Sequence, residues 1–356
     1  MADIRITRTP QPKAKPSDES TLGFGRLFTD HMFMQEYDEG KGWHDARIVP
    51  YGPLTLDPSC AALHYGQTIF EGMKCYRRDD GGLQLFRPKD NFARMARSAA
   101  RMGMAVPDLD TWLEGLKQLI DIDRDWVPSC EGTSLYIRPT MIAMDEKLGV
   151  HTALRYLFYI ILSPVGAYYP GGLAPNDIYV EDAYVRAVRG GIGEAKTGGN
   201  YAASILAGIK AEQAGFAQVL WLDGVEQKYI EEVGAMNIFF VYGDTLYTPK
   251  LNGSILPGIT RDSVIKLAAH MGYKTVEARM DAEQVMKDIQ SGAITEAFGS
   301  GTAAVISPVK AFAYKGATYT VGDGGIGAVS QRLYDTLTGI QWGREPDPFG
   351  WVMKLS

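Results

Sequence analysis

Alternating and periodic runs of apolar residues divide the chain into segments that predict strands and helices in mixed order. In SLYIRPTMIAM (134–144), strict alternation puts Tyr136, Arg138 and Thr140 on one face of a strand and apolar residues on the other. The apolar run RYLFYIILS (155–163) predicts a second, buried strand. An aromatic residue beside an arginine suits the wall of a pocket, although a solvated outer face is equally allowed.

The rest of the first half predicts a hairpin followed by two helices. Residues 70–77 and 83–87 flank an Asp-Asp-Gly-Gly turn, which is typical of a β-hairpin. Pro88 then takes the first position of a helix, and a second helix is predicted over 111–124. Arg94 lies off the apolar face of the first helix, so the helix pattern alone indicates a solvated arginine.

The second half predicts strands and helices in closer alternation. A strand over 178–188 leads into a glycine-rich loop and a helix over 200–215. The side chains expected to pack on that helix are Ala203, Leu206, Ile209 and Ala214. Further helices are predicted from about Ile259, in DAEQVMKDIQSG and in SQRLYDTLTGI, with ITEAFGSGTAAVISPV as a strand between the last two.

The clearest break in these patterns is SPVGAYYPGGLAPND, which carries three prolines among glycines and an asparagine. At about 150 residues per domain, 356 residues predict two domains. We therefore expect a mixed α/β fold with a flexible tail, a smaller N-terminal domain, a linker and a larger domain. The predicted bounds are 1–20, 21–169, 170–177 and 178–356.

Composition narrows the classes of function. With 46% hydrophobic and 22% charged residues, the chain is typical of globular proteins, and its net charge of −6 argues against nucleic acid as a partner. No apolar run approaches the about 18 residues of a membrane helix. The polar N-terminal stretch lacks the apolar region of a secretory signal. Three cysteines and five scattered histidines predict neither a disulfide framework nor a metal site, which fits the reducing cytoplasm.

The candidate chemistry is concentrated in VRAVRGGIGEAKTGGNY (185–201). Its lysine, Lys196, lies between two glycine-rich segments, which let the backbone approach a bound group closely. A lysine in such a loop suits the covalent capture of a flat aldehyde cofactor, for which the amine must be neutral. Taken alone, a loop lysine is more often solvated, and the loop lacks the context of a dinucleotide or Walker A site.

Four further features fit the binding of a phosphorylated, cationic aromatic ring. ILPGITR places the amides of Ile259 and Thr260 at a helix N-terminus, where anions bind. GSGTAA offers more amides and the hydroxyl of Thr302. Glu232 begins an otherwise apolar strand, where a carboxylate requires a cationic partner, and Tyr201 follows the lysine. Each feature alone is common in structural roles, but their occurrence together in this order indicates a function.

These motifs resemble the branched-chain amino-acid aminotransferases, which are fold-type IV pyridoxal-phosphate enzymes. GFGRLFTDHMFM, LHYGQTIFEGMKCYR, FRPKDNFARM, SLYIRPT and SPVGAYYPGG extend the resemblance over nearly the whole chain. It implies a smaller α/β domain, a larger pseudo-barrel domain, pyridoxal 5'-phosphate as cofactor and a homodimer. It also implies ping-pong transamination of L-leucine, L-isoleucine and L-valine with 2-oxoglutarate, giving branched-chain 2-oxo acids and L-glutamate.

Carried over residue by residue, the resemblance makes Lys196 the lysine of the internal aldimine, which also moves a proton between the substrate α-carbon and C4′ of the cofactor. Glu232 would keep the pyridine nitrogen protonated, and Tyr201 would bind O3′. The residues implied for the phosphate are Arg94, Ile259, Thr260 and Thr302. Arg186 is a further cofactor-side residue.

The same comparison implies the substrate residues. The α-carboxylate would bind the amides of Thr302 and Ala303 and the hydroxyl of Tyr65. Arg138 is the nearest cation for the γ-carboxylate of glutamate. The branched side chain, whose burial is worth about 0.8 kcal/mol per CH₂, would be enclosed by Phe24, Tyr136, Tyr168 and Ala235, with Leu148 and Val150 from a partner subunit.

Two features of the sequence depart from the family pattern. Ala304 and Ser307 stand where vertebrate members carry a CxxC pair, so no thiol switch is expected. Ala235 stands where many relatives have threonine, which bears on substrate preference. A D-amino-acid transaminase or an aminodeoxychorismate lyase would keep the lysine, glutamate and phosphate sites, but both are typically shorter chains. From another class, a non-catalytic phosphometabolite-binding protein is the alternative.

Overall fold

The computed structural model describes residues 3–166 and 173–355. The chain divides into two compact units, each built on a nine-stranded sheet. Unit 1 contains Met1–Tyr168, Ala195–Gly198 and Ile340–Ser356, and unit 2 contains Tyr169–Glu194 and Gly199–Gly339. None of the helices in the described ranges combines the length and the apolar composition that a membrane crossing needs.

Unit 1 begins with eight strands and three helices. The strands are β1 (Arg5–Ile6), β2 (His31–Asp38), β3 (Gly42–Pro50), β4 (Thr68–Phe70), β5 (Met73–Arg77), β6 (Leu83–Phe86), β7 (Ser134–Ala143) and β8 (Arg155–Val165). The helices are α1 (Ala61–Tyr65), α2 (Pro88–Arg101) and α3 (Leu109–Ile122). The sheet order is β1-β3-β2-β8-β7-β5-β6, with β4 on β7, and only the β1–β3 pair among these is parallel.

Helices α2 and α3 bury one face of this sheet. Trp112 of α3 stacks on Phe158 of β8, with ring centroids 3.5 Å apart. Gly115 is required on the same helix, because a Cβ there would lie 2.4 Å from the ring of Phe33. Aromatic residues therefore fill the space between α3 and the sheet.

Within the described residues, unit 2 contains nine strands and five helices. The strands are β9 (Asn176–Glu181), β10 (Gln218–Leu222), β11 (Ile230–Val233), β12 (Met236–Tyr242), β13 (Thr245–Pro249), β14 (Lys274–Ala278), β15 (Glu296–Gly301), β16 (Val305–Tyr314) and β17 (Ala317–Thr320). The helices are α4 (Gly198–Ala202), α5 (Ile205–Gln213), α6 (Ile259–His270), α7 (Ala282–Gln290) and α8 (Ala328–Trp342). The last strand of the chain, β18 (Val352–Leu355), pairs with β6 in unit 1.

The sheet of unit 2 closes on itself. Its order is β11-β10-β9-β16-β15-β12-β13-β14, and β11 also pairs with β12. The path from β11 to β12 is therefore a closed ring of strands, which removes two exposed edges. Buried side chains such as Ile178, Leu220, Ile238 and Phe312 form the core of this unit. The mixed α/β fold with a barrel-like second sheet, expected from the resemblance, is confirmed.

The two compact units differ from the predicted domains at two places. Residues 340–356 group with unit 1 rather than with the larger domain, because β18 extends the first sheet and Trp351 packs on Phe86. The stretch 1–20 is not a loose tail where it is described, because the amide of Thr9 donates to Nε2 of His31 (2.9 Å). The predicted linker 170–177 lies partly outside the described residues, and β9 begins at Asn176.

The structure also corrects three predicted elements. The strand predicted over 178–188 ends at Glu181, whose carboxylate accepts the amides of the two residues that begin the following turn, Ala183 and Tyr184. The helix predicted over 200–215 is two helices, α4 and α5. The single strand predicted through GSGTAA is two strands, β15 and β16, joined by a turn.

The inward face of α5 also differs from the prediction. Leu206 and Ile209 are 50% and 45% exposed, whereas Ala207 and Ala211 are buried. The two alanines pack with Trp221 of β10, because small side chains four residues apart let the helix approach the sheet closely.

Candidate active site

Lys196 and Thr197, which group with unit 1, are hydrogen-bonded to two other elements of that unit. The carbonyl of Lys196 accepts the amide of Phe70 at the end of β4 (3.0 Å), and its amide donates to the hydroxyl of Ser98 on α2 (2.9 Å). The buried hydroxyl of Thr197 donates to the carbonyl of Thr68 (2.7 Å). The Lys196 amine lies 5.0 Å from the centroid of the Phe70 ring. The backbone on both sides of the amine is therefore fixed.

Arg94 of α2 is buried, contrary to what the helix pattern alone indicated. Its Nε and Nη2 donate to the two carboxylate oxygens of Glu71, at 2.7 and 2.8 Å. Glu71 lies in the short segment between β4 and β5 and is itself fully buried. An arginine is tolerated in the interior because a carboxylate neutralises it with good geometry.

Three predicted substrate residues come together on the same face of unit 1. The rings of Phe24 and Tyr136 meet edge to face with centroids 4.9 Å apart, and Nη2 of Arg138 donates to the Tyr136 hydroxyl (3.2 Å). The guanidinium of Arg138 lies 4.8 Å from the centroid of the Phe70 ring. Its Nε is buried without a hydrogen-bond partner, which suits an anionic ligand.

Tyr65 contacts the loop of Leu148 and Val150, which the resemblance predicts to reach a partner subunit. The amide of Gly149 donates to the Tyr65 hydroxyl, and the neighbouring Leu148 and Val150 are 62% and 89% exposed. Tyr65 itself is exposed at the end of α1. The structure thus places Tyr65 with Leu148 and Val150. Tyr168, the other aromatic residue predicted for the side-chain pocket, lies outside the described residues.

In unit 2, Glu232 has the cationic partner that its burial requires. One oxygen pairs with Nη2 of Arg186 (2.5 Å), and the other accepts Nδ2 of Asn237 (3.1 Å). Arg186 also donates to the carbonyl of Ser254, and its Nε is buried without a partner. These contacts orient the Glu232 carboxylate and place a cation beside it.

The glycines before the lysine permit close backbone contacts within unit 2. A Cβ on Gly193 would lie 2.1 Å from the carbonyl oxygen of Ser254, so only glycine fits there. The side chain of Asn200 at the start of α4 donates to the carbonyl of Ile192 (2.8 Å). Tyr201 follows on α4 and is half-buried.

The two predicted phosphate-binding turns are also in unit 2. Helix α6 begins at Ile259, and its N-cap residue, Gly258, offers no side-chain cap to the first amides. The turn between β15 and β16 holds Thr302 and Ala303, both half-buried, and the Ser300 hydroxyl beside it is buried without a partner. The amides of a helix start and of a tight turn suit an anion. Ala235 is exposed in the turn between β11 and β12.

Some residues that shape the site were not predicted. Ser98 could have been found from its spacing, because it lies four residues after Arg94 and so shares a helix face with it. Glu71 could have been suspected as a lone acid between two apolar strands. The contacts of Asn237 and Ser254 come from chain segments that no local pattern connects.

Comparison with known proteins supports one family. The model of the family "Amino-transferase class IV" matches residues 68–312. A probable branched-chain-amino-acid aminotransferase of Staphylococcus aureus (strain N315) is 54% identical over 349 residues, which cover 98% of this chain and 97% of the relative. Branched-chain-amino-acid transaminase 1 of Bacillus subtilis (strain 168) is 53% identical over 353 residues, covering 99% of both chains.

A solved structure shows the same fold. The branched-chain amino acid aminotransferase of Escherichia coli superposes with a TM-score of 0.75 at 30% identity, covering 91% of this chain and 99% of that one.

Proposed function

Because the chain belongs to the class IV aminotransferases and, within them, to the branched-chain amino-acid aminotransferases, we propose that it transfers the amino group of L-leucine, L-isoleucine and L-valine to 2-oxoglutarate. Two half-reactions in a ping-pong sequence give the branched-chain 2-oxo acids and L-glutamate. The observation that carries the proposal is the position of Lys196. Its backbone is hydrogen-bonded to Phe70 and Ser98. The proposed wall of the substrate pocket consists of Phe24, Tyr136 and Arg138, which contact one another.

The cofactor of this family is pyridoxal 5'-phosphate, and the described residues fit its functional groups. Lys196 offers the amine for its aldehyde, and the buried carboxyl group of Glu232, which pairs with Arg186, suits a protonated ring nitrogen. The unpaired Ser300 hydroxyl lies next to the turn that would bind the phosphate. The proposed phosphate ligands are Arg94, Ile259, Thr260 and Thr302. When bound, the cofactor supplies an electron sink for the charge that develops at the substrate α-carbon.

We assign the following steps to the protein's own groups. Nζ of Lys196 would take the proton from the substrate α-carbon and deliver it to C4′. The Glu232 carboxylate would accept a hydrogen bond from the ring nitrogen, while Arg186 and Asn237 orient that carboxylate. The hydroxyl of Tyr201 would bind O3′.

Substrate recognition is proposed to combine apolar burial with a few polar contacts. Phe24 and Tyr136 would cover the branched side chain together with Tyr168 and Ala235, and Arg138 would bind the γ-carboxylate of glutamate through its unpaired Nε. The α-carboxylate would bind the amides of Thr302 and Ala303 and the hydroxyl of Tyr65.

We further propose a cytoplasmic homodimer. Leu148 and Val150 expose apolar side chains on one loop, which indicates a surface that another chain covers. In the proposed dimer this loop closes the side-chain pocket of the partner subunit. Tyr65 is hydrogen-bonded to the loop, so we expect it to act together with Leu148 and Val150.

A substrate panel and covalent trapping test the reaction and the anchor. The purified protein is offered L-leucine or D-alanine with 2-oxoglutarate, and turnover of only L-leucine is expected. Its visible spectrum should show a bound cofactor, and borohydride reduction should fix that cofactor to Lys196, as mapped by mass spectrometry. Lys196→Ala should lose transamination while its far-UV circular dichroism is unchanged.

Two outcomes would contradict the proposal. Turnover of only D-alanine would identify a D-amino-acid transaminase, and a colourless protein with no adduct would identify a non-catalytic binding protein. An adduct on any other lysine would refute the assignment of the anchor.

A further inference from the structure

The pairing of Arg94 with Glu71 points to a residue outside the set described above. We propose that Glu71 is a positioning residue for the cofactor phosphate, acting through Arg94. This inference rests on the proposed function, because Arg94 is a phosphate ligand only if the cofactor is bound there. Glu71 itself would touch neither cofactor nor substrate.

The geometry of the pair fixes the plane of the guanidinium. Nε and Nη2 bind separate oxygens of one carboxylate, so rotation about the end of the arginine side chain would break at least one contact. Both side chains are buried, with 4% and 0% of their surface exposed, so water cannot readily replace a lost contact. The orientation of Arg94 therefore depends on Glu71.

Glu71 is in turn held by the backbone of the sheet. Its amide donates to the carbonyl of Pro139 on β7 (2.9 Å), and one of its carboxylate oxygens accepts the amide of Gly72 (3.2 Å). The preceding residue, Phe70, donates its amide to Lys196. Phe70 thus binds the backbone of Lys196, the proposed cofactor anchor. The next residue, Glu71, binds the side chain of Arg94, the proposed phosphate ligand.

This arrangement predicts a selective defect. Glu71→Gln keeps the size of the side chain but replaces the two accepting carboxylate oxygens with one amide oxygen and one NH₂ group. The NH₂ group is a donor, so it cannot accept the hydrogen bond from Arg94. The phosphate contact should weaken, while the Lys196 contacts, which use the backbone of Phe70, should remain. The variant should therefore bind pyridoxal 5'-phosphate less tightly but bind pyridoxal, which has no phosphate, as the wild type does.

The measurement compares the two aldehydes in the full-length enzyme. Enzyme loaded with either aldehyde is diluted, and the dissociation constant is obtained from the visible absorbance of the bound form. For Glu71→Gln, we expect the constant for pyridoxal 5'-phosphate to rise by about tenfold or more, with that for pyridoxal unchanged. In an Arg94→Gln background, Glu71→Gln should have little further effect on the preference for the phosphorylated aldehyde.

Glu296→Gln is the matched control. Glu296 is a buried carboxylate in unit 2 that accepts the amides of Val329 and Ser330 at the start of α8. Its loss should lower stability without changing the preference for the phosphorylated aldehyde. If Glu71→Gln does not fold, Glu71→Asp is measured instead, because its shorter side chain cannot keep both contacts in place, and the same loss of preference is expected.

The outcomes separate this inference from the proposed function. If the wild type forms no borohydride-stable adduct with either aldehyde, the proposed function fails. If the wild type prefers the phosphorylated aldehyde and a folded Glu71 variant keeps that preference, only the role of Glu71 is refuted. Equal weakening for both aldehydes would show a general structural role and would also refute it.

Discussion

The shape of the proposed substrate wall depends on a missing side chain at Gly72. A Cβ at this position would lie 2.1 Å from the hydroxyl oxygen of Tyr136 and 2.9 Å from its Cζ. Gly72→Ala should push Tyr136 out of place, raise KM for L-leucine more than it lowers kcat, and cost about 1–3 kcal/mol of stability. Steady-state kinetics and thermal unfolding measure both effects. Gly52→Ala is the control, because a Cβ there meets nothing within 4 Å.

A folded Gly72→Ala enzyme with an unchanged KM would show that Tyr136 does not contact the substrate side chain.

Lys74 on β5 predicts a pH dependence of stability. Burial lowers the pKa of Lys74 to about 8, below the about 10.4 of an unfolded chain. Between these values the unfolded chain binds more protons than the folded one, so stability rises with pH. The destabilisation is fully present below pH 8 and is relieved as the pH rises toward about 10. Lys74→Met should therefore raise the free energy of unfolding near pH 7 by up to about 3 kcal/mol.

Denaturant unfolding at several pH values tests this, with exposed Lys89→Met as the control for removing a lysine. The difference between Lys74→Met and wild type should shrink between pH 8 and 10. A difference that does not change with pH would show that Lys74 is not desolvated in the folded chain.

For single residues, a local motif predicts more than a helix pattern does. Motifs single out Lys196, Glu232 and the turn residues as candidates, whereas the burial of Arg94 could not be read from its own helix. Burial depends on Glu71, which is 23 positions earlier in the chain. A helix pattern records which side chains are apolar but not whether a charge from another element neutralises a polar one.

At the scale of elements, β18 shows where local patterns are insufficient. This strand pairs with β6, far away in the sequence, and its four residues are too short to predict by alternation. The same limit explains α5, whose buried alanines carry a weaker signal than its exposed leucine and isoleucines. Long elements with strong patterns, such as α2, β7 and β8, were predicted to within a few residues.

The packing of β18 predicts that the end of the chain stabilises unit 1. Trp351 is buried, stacks on Phe349 at 4.1 Å and accepts the amide of Arg87 through its carbonyl (2.8 Å). Trp351→Ala should cost about 3–5 kcal/mol, measured by denaturant unfolding of the full-length chain. Lys354→Ala, at an exposed position within β18 itself, should cost far less. Equal effects of the two substitutions would show that Trp351, the residue just before β18, adds no packing energy.

For the chain as a whole, the order of the motifs predicts the fold class better than it predicts how the chain is divided into two units. The barrel-like second sheet follows from the resemblance, and the β11–β12 pairing closes it. The division of the chain is less simple than one boundary, because Ala195–Gly198 groups with unit 1 although the residues on both sides of it group with unit 2. The segment Ala195–Gly198 groups with unit 1 because it is hydrogen-bonded to β4 and α2. The amino-acid composition of the chain does not change at its ends, so composition could not predict this grouping.

The proposed dimer makes a prediction that no single chain can test. If Val150 closes the pocket of the partner subunit, Val150→Asp places a charge in an apolar pocket and should inactivate the enzyme. Lys196→Ala should also be inactive. In a dimer of the two variants, however, the chain that keeps Lys196 receives the loop of the chain that keeps Val150, so one of its two sites is intact.

Random pairing of equal amounts makes half of the dimers mixed, so the mixture should recover roughly a quarter of the wild-type activity. Co-expression with two affinity tags isolates the mixed dimer, in which about half of the wild-type activity per dimer is expected. If the loop served its own chain instead, the mixed dimer would hold one site without the lysine and one with the charged loop. It would then stay inactive, which would refute the shared site even if the protein is a dimer.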